Sequence, residues 1–557
     1  MTPDQLERQL RTAVLGAIAA GELALDPATV PAVITVERPK NPDHGDYATN
    51  IAMRLAKPAK RKPRAVAQLL IERLRQLPGV ASVEIAGPGF LNIRVEAAAA
   101  GALAAEIVRL ADRFGRTDTL ADQKINVEFI SANPTGPLHL GHTRWAAVGD
   151  AIAAVLEAAG AQVVREFYIN DRGVQMDRFG ASLAAVAHGR PVPEDGYHGG
   201  YIAELAAEIV AAQPELKELA EPAAMAAFRD AGCRLQLRQT RAVLEMFGTR
   251  FDVWTSEREL HAAGAVDHAL TKLRKQGHVY ELDGATWLRT TDFGDDKDRV
   301  LIKADGELTY FASDCAYFID KRRRGFTTSI YLLGADHHGY VNRLRAVAAC
   351  AGDDPDVAIE VLIGQLVKTL RAGVEVRLSK RAGEIVTLSD LVDEVGVDAT
   401  RYTLIRYPVD SPLSLDLDLL IKRSNDNPVY YVQYAHARIC SVLAHAHDLD
   451  IDWRHGPIGF DPALLKHERE STLLGTLAEL PRIVAGAAEL REPHRVARYL
   501  ETLATAYHRF YDVCRVLPKG DEPVEPLHVA RLWLCAATRQ TVANGLLMLG
   551  VSAPEHM

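Results

Sequence analysis

Apolar positions along the chain follow three successive rhythms. Up to about residue 110 two periods mix. Helical spacing over 6–20 and 65–76 is broken by short apolar runs at 32–37, 81–85 and 90–95, which predict strands, the last two joined by Gly87, Pro88 and Gly89. From 125 the rhythm changes to a strand at 125–130, a helix at 143–159 stopped by Gly160, and a strand at 162–169. Val148, Ile152, Val155, Leu156 and Ala159 share one face of that helix. Strand, helix, strand at this spacing is a βαβ unit, so a parallel sheet is expected there. Residues from about 176 to 300 read as an insertion, with helices at 202–212 and 225–247 and a hairpin at 279–289 turned on Asp283 and Gly284. The sheet is expected to resume after Leu308. A helix there carries Tyr310 and Asp314 four apart on one face. Buried strands at 330–334 and 359–363 follow. From Asp390 onward the period is helical, with a helix opened by Pro428 and further ones at 464–480, 495–516 and 527–549. The class is therefore α/β: a Rossmann-like parallel-sheet domain over 111–389, a separate N-terminal α/β domain over 1–110, a connecting helical segment over 390–426 and a C-terminal all-α bundle over 427–557.

Composition narrows this further. At 557 residues the chain exceeds one core, since a domain takes roughly 150 residues. With 48% apolar and 25% charged residues, and no run of apolar residues long enough for a span, no membrane partner is expected. The start, M-T-P-D-Q-L-E-R-Q-L, reads as a capped helix and not a signal peptide. The six cysteines stand singly in apolar segments with no C-x-x-C pair, the pattern of reduced core thiols in a cytoplasmic protein, and no structural metal is expected. A net charge of −9 argues against coating nucleic acid with the whole surface, but leaves room for local patches such as K-P-A-K-R-K-P-R over 57–64.

Candidate chemistry concentrates in two places. Residues 128–142 read E-F-I-S-A-N-P-T-G-P-L-H-L-G-H, a strand, a Gly/Pro turn and a helix start, which is the layout of a nucleotide site in an open α/β sheet. A helix start offers free N–H groups to phosphate. Gly141 lets a base or ribose lie against backbone, and His139 and His142 on either side can donate to phosphate oxygens. The second place is R-L-S-K-R over 377–381. A basic loop with a hydroxyl can close over a triphosphate and neutralise charge on leaving pyrophosphate. Taken alone, H-x-G-H is also a helix cap and S-K-R also a solvated hairpin.

The longer strings decide between these. S-A-N-P-T-G-P-L-H-L-G-H closely resembles the first signature of class I aminoacyl-tRNA synthetases, and its A-N-P-T lead-in resembles the arginyl-tRNA synthetase branch. H-G-D-Y-A-T-N and G-P-G-F-L-N-I resemble that branch's N-terminal domain, and the ending G-L-L-M-L-G-V-S-A-P-E-H-M resembles the end of its anticodon-binding domain. R-L-S-K-R resembles the K-M-S-K-S loop, with Arg377 for the first lysine, Arg381 for the last serine and Lys380 kept. The resemblance implies a ligase that joins arginine to its tRNA by way of an adenylate, with ATP as substrate together with Mg2+. It implies catalytic roles for His139, His142, Lys380, Ser379 and Arg377. Arginine would be bound by Glu128, Asn133, His139, the Tyr310 and Asp314 pair, and His337 where the family often has glutamine. ATP would lie against Thr135, His139, Gly141, His142 and Lys380. The partner tRNA(Arg) would meet Lys57, Lys60 and Arg61 on the N-terminal domain and stack on Tyr430 and Tyr434 of the bundle. A monomer is expected. The other readings are a non-catalytic tRNA-binding relative and a small-molecule nucleotidyltransferase of the H-x-G-H type.

Overall fold

Thr2 opens the first helix, Pro3–Ala19, with a capping box: its hydroxyl accepts from the Gln5 amide and its own amide donates to the Gln5 side chain. The computed structural model describes residues 1–39, 41–337, 339–365, 367–376 and 387–557. Leu6, Leu10, Val14 and Ala17 of the first helix pack with the helices Ile51–Ala56 and Pro63–Leu74 in one N-terminal core. Strands β1 (Tyr47–Thr49), β2 (Val80–Ala86) and β3 (Phe90–Val95) form its antiparallel sheet, in the order β1-β3-β2. The strand expected at 32–37 does not form. Only Glu37 bridges, to Ala48. Val30, Ile34 and Val36 are buried, and the Ile34 amide donates to the Glu7 carboxylate at 3.0 Å instead of to a ladder.

The helix Ala97–Leu110 leads into the central sheet, made of β4 (Lys124–Glu128), β5 (Gln162–Ile169) and β6 (Val253–Ser256), then, past a small antiparallel sheet of β7 (Val279–Leu282), β8 (Ala285–Leu288) and β9 (Arg299–Ile302), of β10 (Thr328–Gly334) and β11 (Ile359–Gly364). All pairings in it are parallel and the order is β11-β10-β4-β5-β6. The direction of winding reverses between β4 and β10, so their carboxyl ends bound a crevice of the kind that holds ligands. Edge strand β6 comes from within the stretch expected to be an insertion. Its four-residue pattern follows a 26-residue helix, too short a signal for period 2 to stand out.

Beyond the sheet lie β12 (Val367–Arg371), β13 (Val374–Glu375) and β14 (Leu413–Asp416), with β12 parallel to β14. The bundle is built from the helices Pro428–Asp448, Glu468–Leu477, Leu480–Leu490, His494–Val513 and Pro526–Met548. The helix expected at 464–480 is shorter, Glu468–Leu477, and a further helix, Leu480–Leu490, follows it. His467 caps the first, and Pro481, which has no N–H, sits in the first turn of the next. All six cysteines are free thiols and buried.

Candidate active site

The site grows from the carboxyl end of β4. Past Phe129 the chain turns sharply, with Ile130 at φ +68° and Ser131 at φ +43°. A β-branched residue there is strained, and such strain persists only where its surroundings impose it. The turn brings the Ser131 hydroxyl back to donate to Glu128 Oε1 at 3.0 Å while accepting from the Tyr168 amide at 3.1 Å. Glu128 Oε2 accepts from Lys321 Nζ at 2.6 Å, the lysine being fully buried with its ammonium 4.0 Å from the Tyr331 ring centroid. Glu128 is thus held on both oxygens at the strand tip. Next along, Asn133 Nδ2 donates to Gln175 at 2.6 Å, and the buried Thr135 accepts on its carbonyl from the Tyr201 hydroxyl at 3.2 Å.

The helix Leu140–Ala158 starts three residues earlier than its apolar pattern suggests, because its cap is a histidine side chain. His139 Nδ1 accepts from the Gly141 amide at 3.1 Å, which leaves Nε2 as the N–H of the neutral ring. The His139 and His142 rings stack with centroids 3.8 Å apart. Burial lowers the pKa of both, and the closeness of His139 helps bring His142 down to about 4. His142 Nδ1 is buried and has no hydrogen-bond partner among the described residues. Two neutral imidazoles at a helix N-terminus form a donor surface for phosphate.

Residues Arg377, Ser379 and Lys380 lie outside the described residues. The described chain that follows them is tied to the site, and the chain before them to the small sheet of β12. The Val376 amide donates to the Thr369 carbonyl at 2.9 Å, while Thr387 bridges to His139 and the Leu388 amide donates to the Leu138 carbonyl at 2.9 Å.

Three carboxylates from three elements converge at the tip of β4. Asp314 stands one turn along the helix Tyr310–Arg323, which Thr309 caps, and accepts from the Tyr340 hydroxyl. Burial draws its carboxyl up to about 7; Glu257 and Glu128 push the same way, and the Tyr340 bond and the Arg343 guanidinium pull back. Glu257, buried at the start of the helix Glu257–Ala262 after β6, bonds to Ser313 and Tyr168, and burial raises its carboxyl too. Glu128 is the third. Tyr310 is 58% exposed at the rim, its hydroxyl so close to Gly173 that a Cβ there would come within 2.5 Å. His337 is exposed in the turn Ala335–His337 after β10. The fold therefore brings Glu128, Asp314, His139 and His142 to one sheet edge. Sequence reasoning missed Glu257, Tyr340 and Lys321. The apolar V-W-T-S followed by a serine cap was a faint signal for the first; the other two make their contacts only through the tertiary fold.

Far from the sheet edge, Tyr430 and Tyr434 stack nearly parallel at 6.0 Å on the bundle, Tyr434 meets the His508 ring at 5.9 Å, and Arg438 lies over Tyr434 at 5.4 Å. Both tyrosines are half-buried. The nearby His436 is core, its ring nitrogen 2.9 Å from the Pro554 carbonyl. Lys57, Lys60 and Arg61 are exposed in the turn after Ile51–Ala56.

Comparison with known proteins gives the family. Three family models match: the arginyl tRNA synthetase N terminal domain over 4–95, the catalytic domain of tRNA synthetases class I (R) over 106–194 and 231–405, and the DALR anticodon binding domain over 432–557. The arginine--tRNA ligase of Kineococcus radiotolerans is 56% identical over 557 residues, and that of Renibacterium salmoninarum 57% over 557, each comparison covering the whole of both chains. The crystal structure of a putative arginyl-tRNA synthetase from Campylobacter jejuni matches with TM-score 0.75 at 31% identity, covering 83% of this chain and 100% of that one. The Thermus thermophilus arginyl-tRNA synthetase matches in fold over 100% of both chains, with TM-score 0.73 at 24% identity. The chain belongs to the arginyl-tRNA synthetase family, the arginine--tRNA ligases of class I.

Proposed function

We infer that this chain activates L-arginine with ATP, giving arginyl-adenylate and pyrophosphate, and then passes the arginyl group to the terminal ribose of its tRNA. The observation that carries the amino-acid choice is the convergence of Asp314 and Glu257 on Glu128 at the tip of β4, the strand whose following turn leads to the stacked histidines. A guanidinium is planar, always charged and able to donate to several oxygens at once. Asp314 and Glu257 take it, and Glu128 with Asn133 orient the backbone end of the amino acid. Tyr310 and His337 close the rim. Lysine offers a point charge that leaves part of this carboxylate set unpaired, which costs on the order of 3–5 kcal/mol.

The arginine carboxylate attacks the α-phosphate in line. His139 and His142 meet the phosphates as neutral donors, and Gly141 leaves the adenosine room against the helix start. Thr135 belongs to the same ATP wall. The loop with Arg377, Ser379 and Lys380 supplies positive charge to the departing pyrophosphate, a role supported by the docking of Thr387 against His139. Magnesium enters on the triphosphate as part of the substrate. The stacked Tyr430 and Tyr434 with Arg438 serve the anticodon end of the tRNA, and Lys57, Lys60 and Arg61 its far corner. No helix among the described residues is long and apolar enough to cross a membrane. The proposed working form is a cytoplasmic monomer. Asp314→Asn is expected to raise the arginine KM by about 100-fold or more, the scale of an unpaired buried donor, with the ATP KM within twofold. An unchanged arginine KM would remove Asp314 from the pocket.

A further inference from the structure

Asp314 is placed where its charge is hardest to keep. On its own helix lies the buried thiol of Cys315. Glu128 faces it from β4, Glu257 from the helix after β6, and the phenols of Tyr168 and Tyr331 from β5 and β10. Against this acidity the helix Tyr340–Cys350 brings the Tyr340 hydroxyl, bonded to Asp314 Oδ2, and the Arg343 guanidinium, 4.7 Å over the Tyr340 ring, while Lys321 of Asp314's own helix pairs with Glu128 and Arg172 acts on Glu257. The Tyr340 phenol is itself raised well above its ordinary range by burial and by Asp314, so it stays a donor at every working pH.

We propose that Tyr340 is a positioning residue for amino-acid recognition: by donating to one oxygen of Asp314 it aims the carboxylate at the arginine side chain and keeps it ionised, and so sets both the affinity for arginine and the pH below which the pocket fails. This rests on the assignment of Asp314 to the guanidinium. The reasoning follows from the chemistry of the pair. A guanidinium bonds strongly to a carboxylate and poorly to a carboxylic acid, whose O–H is a donor facing donors. In the free enzyme the carboxyl of Asp314 lies up at about 7, so a modest change in its surroundings changes the fraction that can bind. The Tyr340 hydroxyl favours the charged form. Removing it moves the titration of Asp314 upward, and arginine binding at neutral pH weakens. The substrate guanidinium stays charged throughout, so the pH effect belongs to the enzyme.

The test measures arginine KM, ATP KM and kcat by pyrophosphate exchange in the presence of tRNA, from pH 5.5 to 8.5, for the full chain, Tyr340→Phe and Asp314→Asn. In Tyr340→Phe the arginine KM at pH 7 rises roughly tenfold, the scale of one hydrogen bond to a charged group, with kcat and ATP KM within twofold. The acid limb of its arginine KM profile moves up by about half to one pH unit, and raising the pH to 8.5 restores most of the lost affinity. An unshifted profile, or an equal rise in the ATP KM, overturns the proposal by reducing Tyr340 to packing. If Tyr340→Phe does not accumulate folded, Tyr340→Leu carries the same expectation. Asp314→Asn separates the two levels. If it leaves arginine KM unchanged, the assignment of Asp314 fails; if it abolishes arginine binding while the Tyr340 variants retain the parent profile, only the role of Tyr340 fails.

Discussion

His142 illustrates how burial decides what a side chain can do. Desolvation and the adjacent His139 hold it neutral at physiological pH, so in the proposed role it would offer a phosphate an N–H donor and not a cation. His142→Ala is expected to lower turnover by roughly 10²–10³, the cost of one positioned transition-state donor. A near-normal rate in steady-state aminoacylation would refute that role. The sign of its pH linkage follows. The unfolded chain takes up the proton near 6.5 and the folded chain only near 4, so this group leaves stability unchanged above 6.5 and lowers it progressively as pH falls from 6.5 to about 4. Nitrogen NMR should show a His142 ring that stays neutral at pH 5.5; protonation midway near 6.5 would contradict the buried stack.

The helix Leu140–Ala158 places two glycines in different relations to the site. A Cβ on Gly149 would lie 2.4 Å from the fully buried Phe129 ring, which cannot move away. One on Gly141 would meet the exposed His139 ring at 2.9 Å, which can. Gly149→Ala should therefore cost about 1–3 kcal/mol of stability by overpacking, seen as a lower denaturation midpoint. Gly141→Ala should cost less stability than Gly149→Ala but break the His139 cap and reduce turnover. Equal behaviour of the two variants would show that the helix start is not built around His139. The same helix shows what was legible beforehand. Its apolar face, with Val148, Ile152 and Val155, announced the body of the element, and the i, i+4 relation of Tyr310 and Asp314 announced a shared face. Its true start was hidden because histidine is an uncommon cap. The expected strand at 32–37 failed because Glu7, distant in sequence, takes the Ile34 amide. Glu257 and Tyr340 were illegible because a four-residue strand and a contact across 26 positions leave no local pattern.

Across the whole molecule, buried arginines tie the helix Leu140–Ala158 to its neighbours, and one of them reaches the bundle. Arg401, with its side chain fully buried, donates to Asp150 of the histidine-capped helix at 2.6 Å, to the Phe247 carbonyl at 3.0 Å, to Thr249 at 3.2 Å, and to the Leu549 carbonyl at the end of the last bundle helix at 3.2 Å. Arg144 on that same helix donates to the carbonyls of Gln365, Pro408 and Ser411 at 2.7–3.3 Å. The helix that presents His139 and His142 is thus clamped through Arg401 to the end of the last bundle helix. Arg401→Met leaves Asp150 with Arg165 as its remaining ion pair and three acceptors bare, and should cost about 3–5 kcal/mol. An unchanged urea midpoint would show that the two bodies do not depend on this joint.

The selection of arginine by a carboxylate pocket beside the histidines is tested most directly by pyrophosphate exchange into ATP with arginine, lysine and citrulline, each with and without arginine tRNA. Exchange with arginine alone among the three is expected, because lysine cannot span the pocket and citrulline lacks the charge. Comparable exchange with lysine or citrulline, or none with any of them while tRNA still binds, would contradict it.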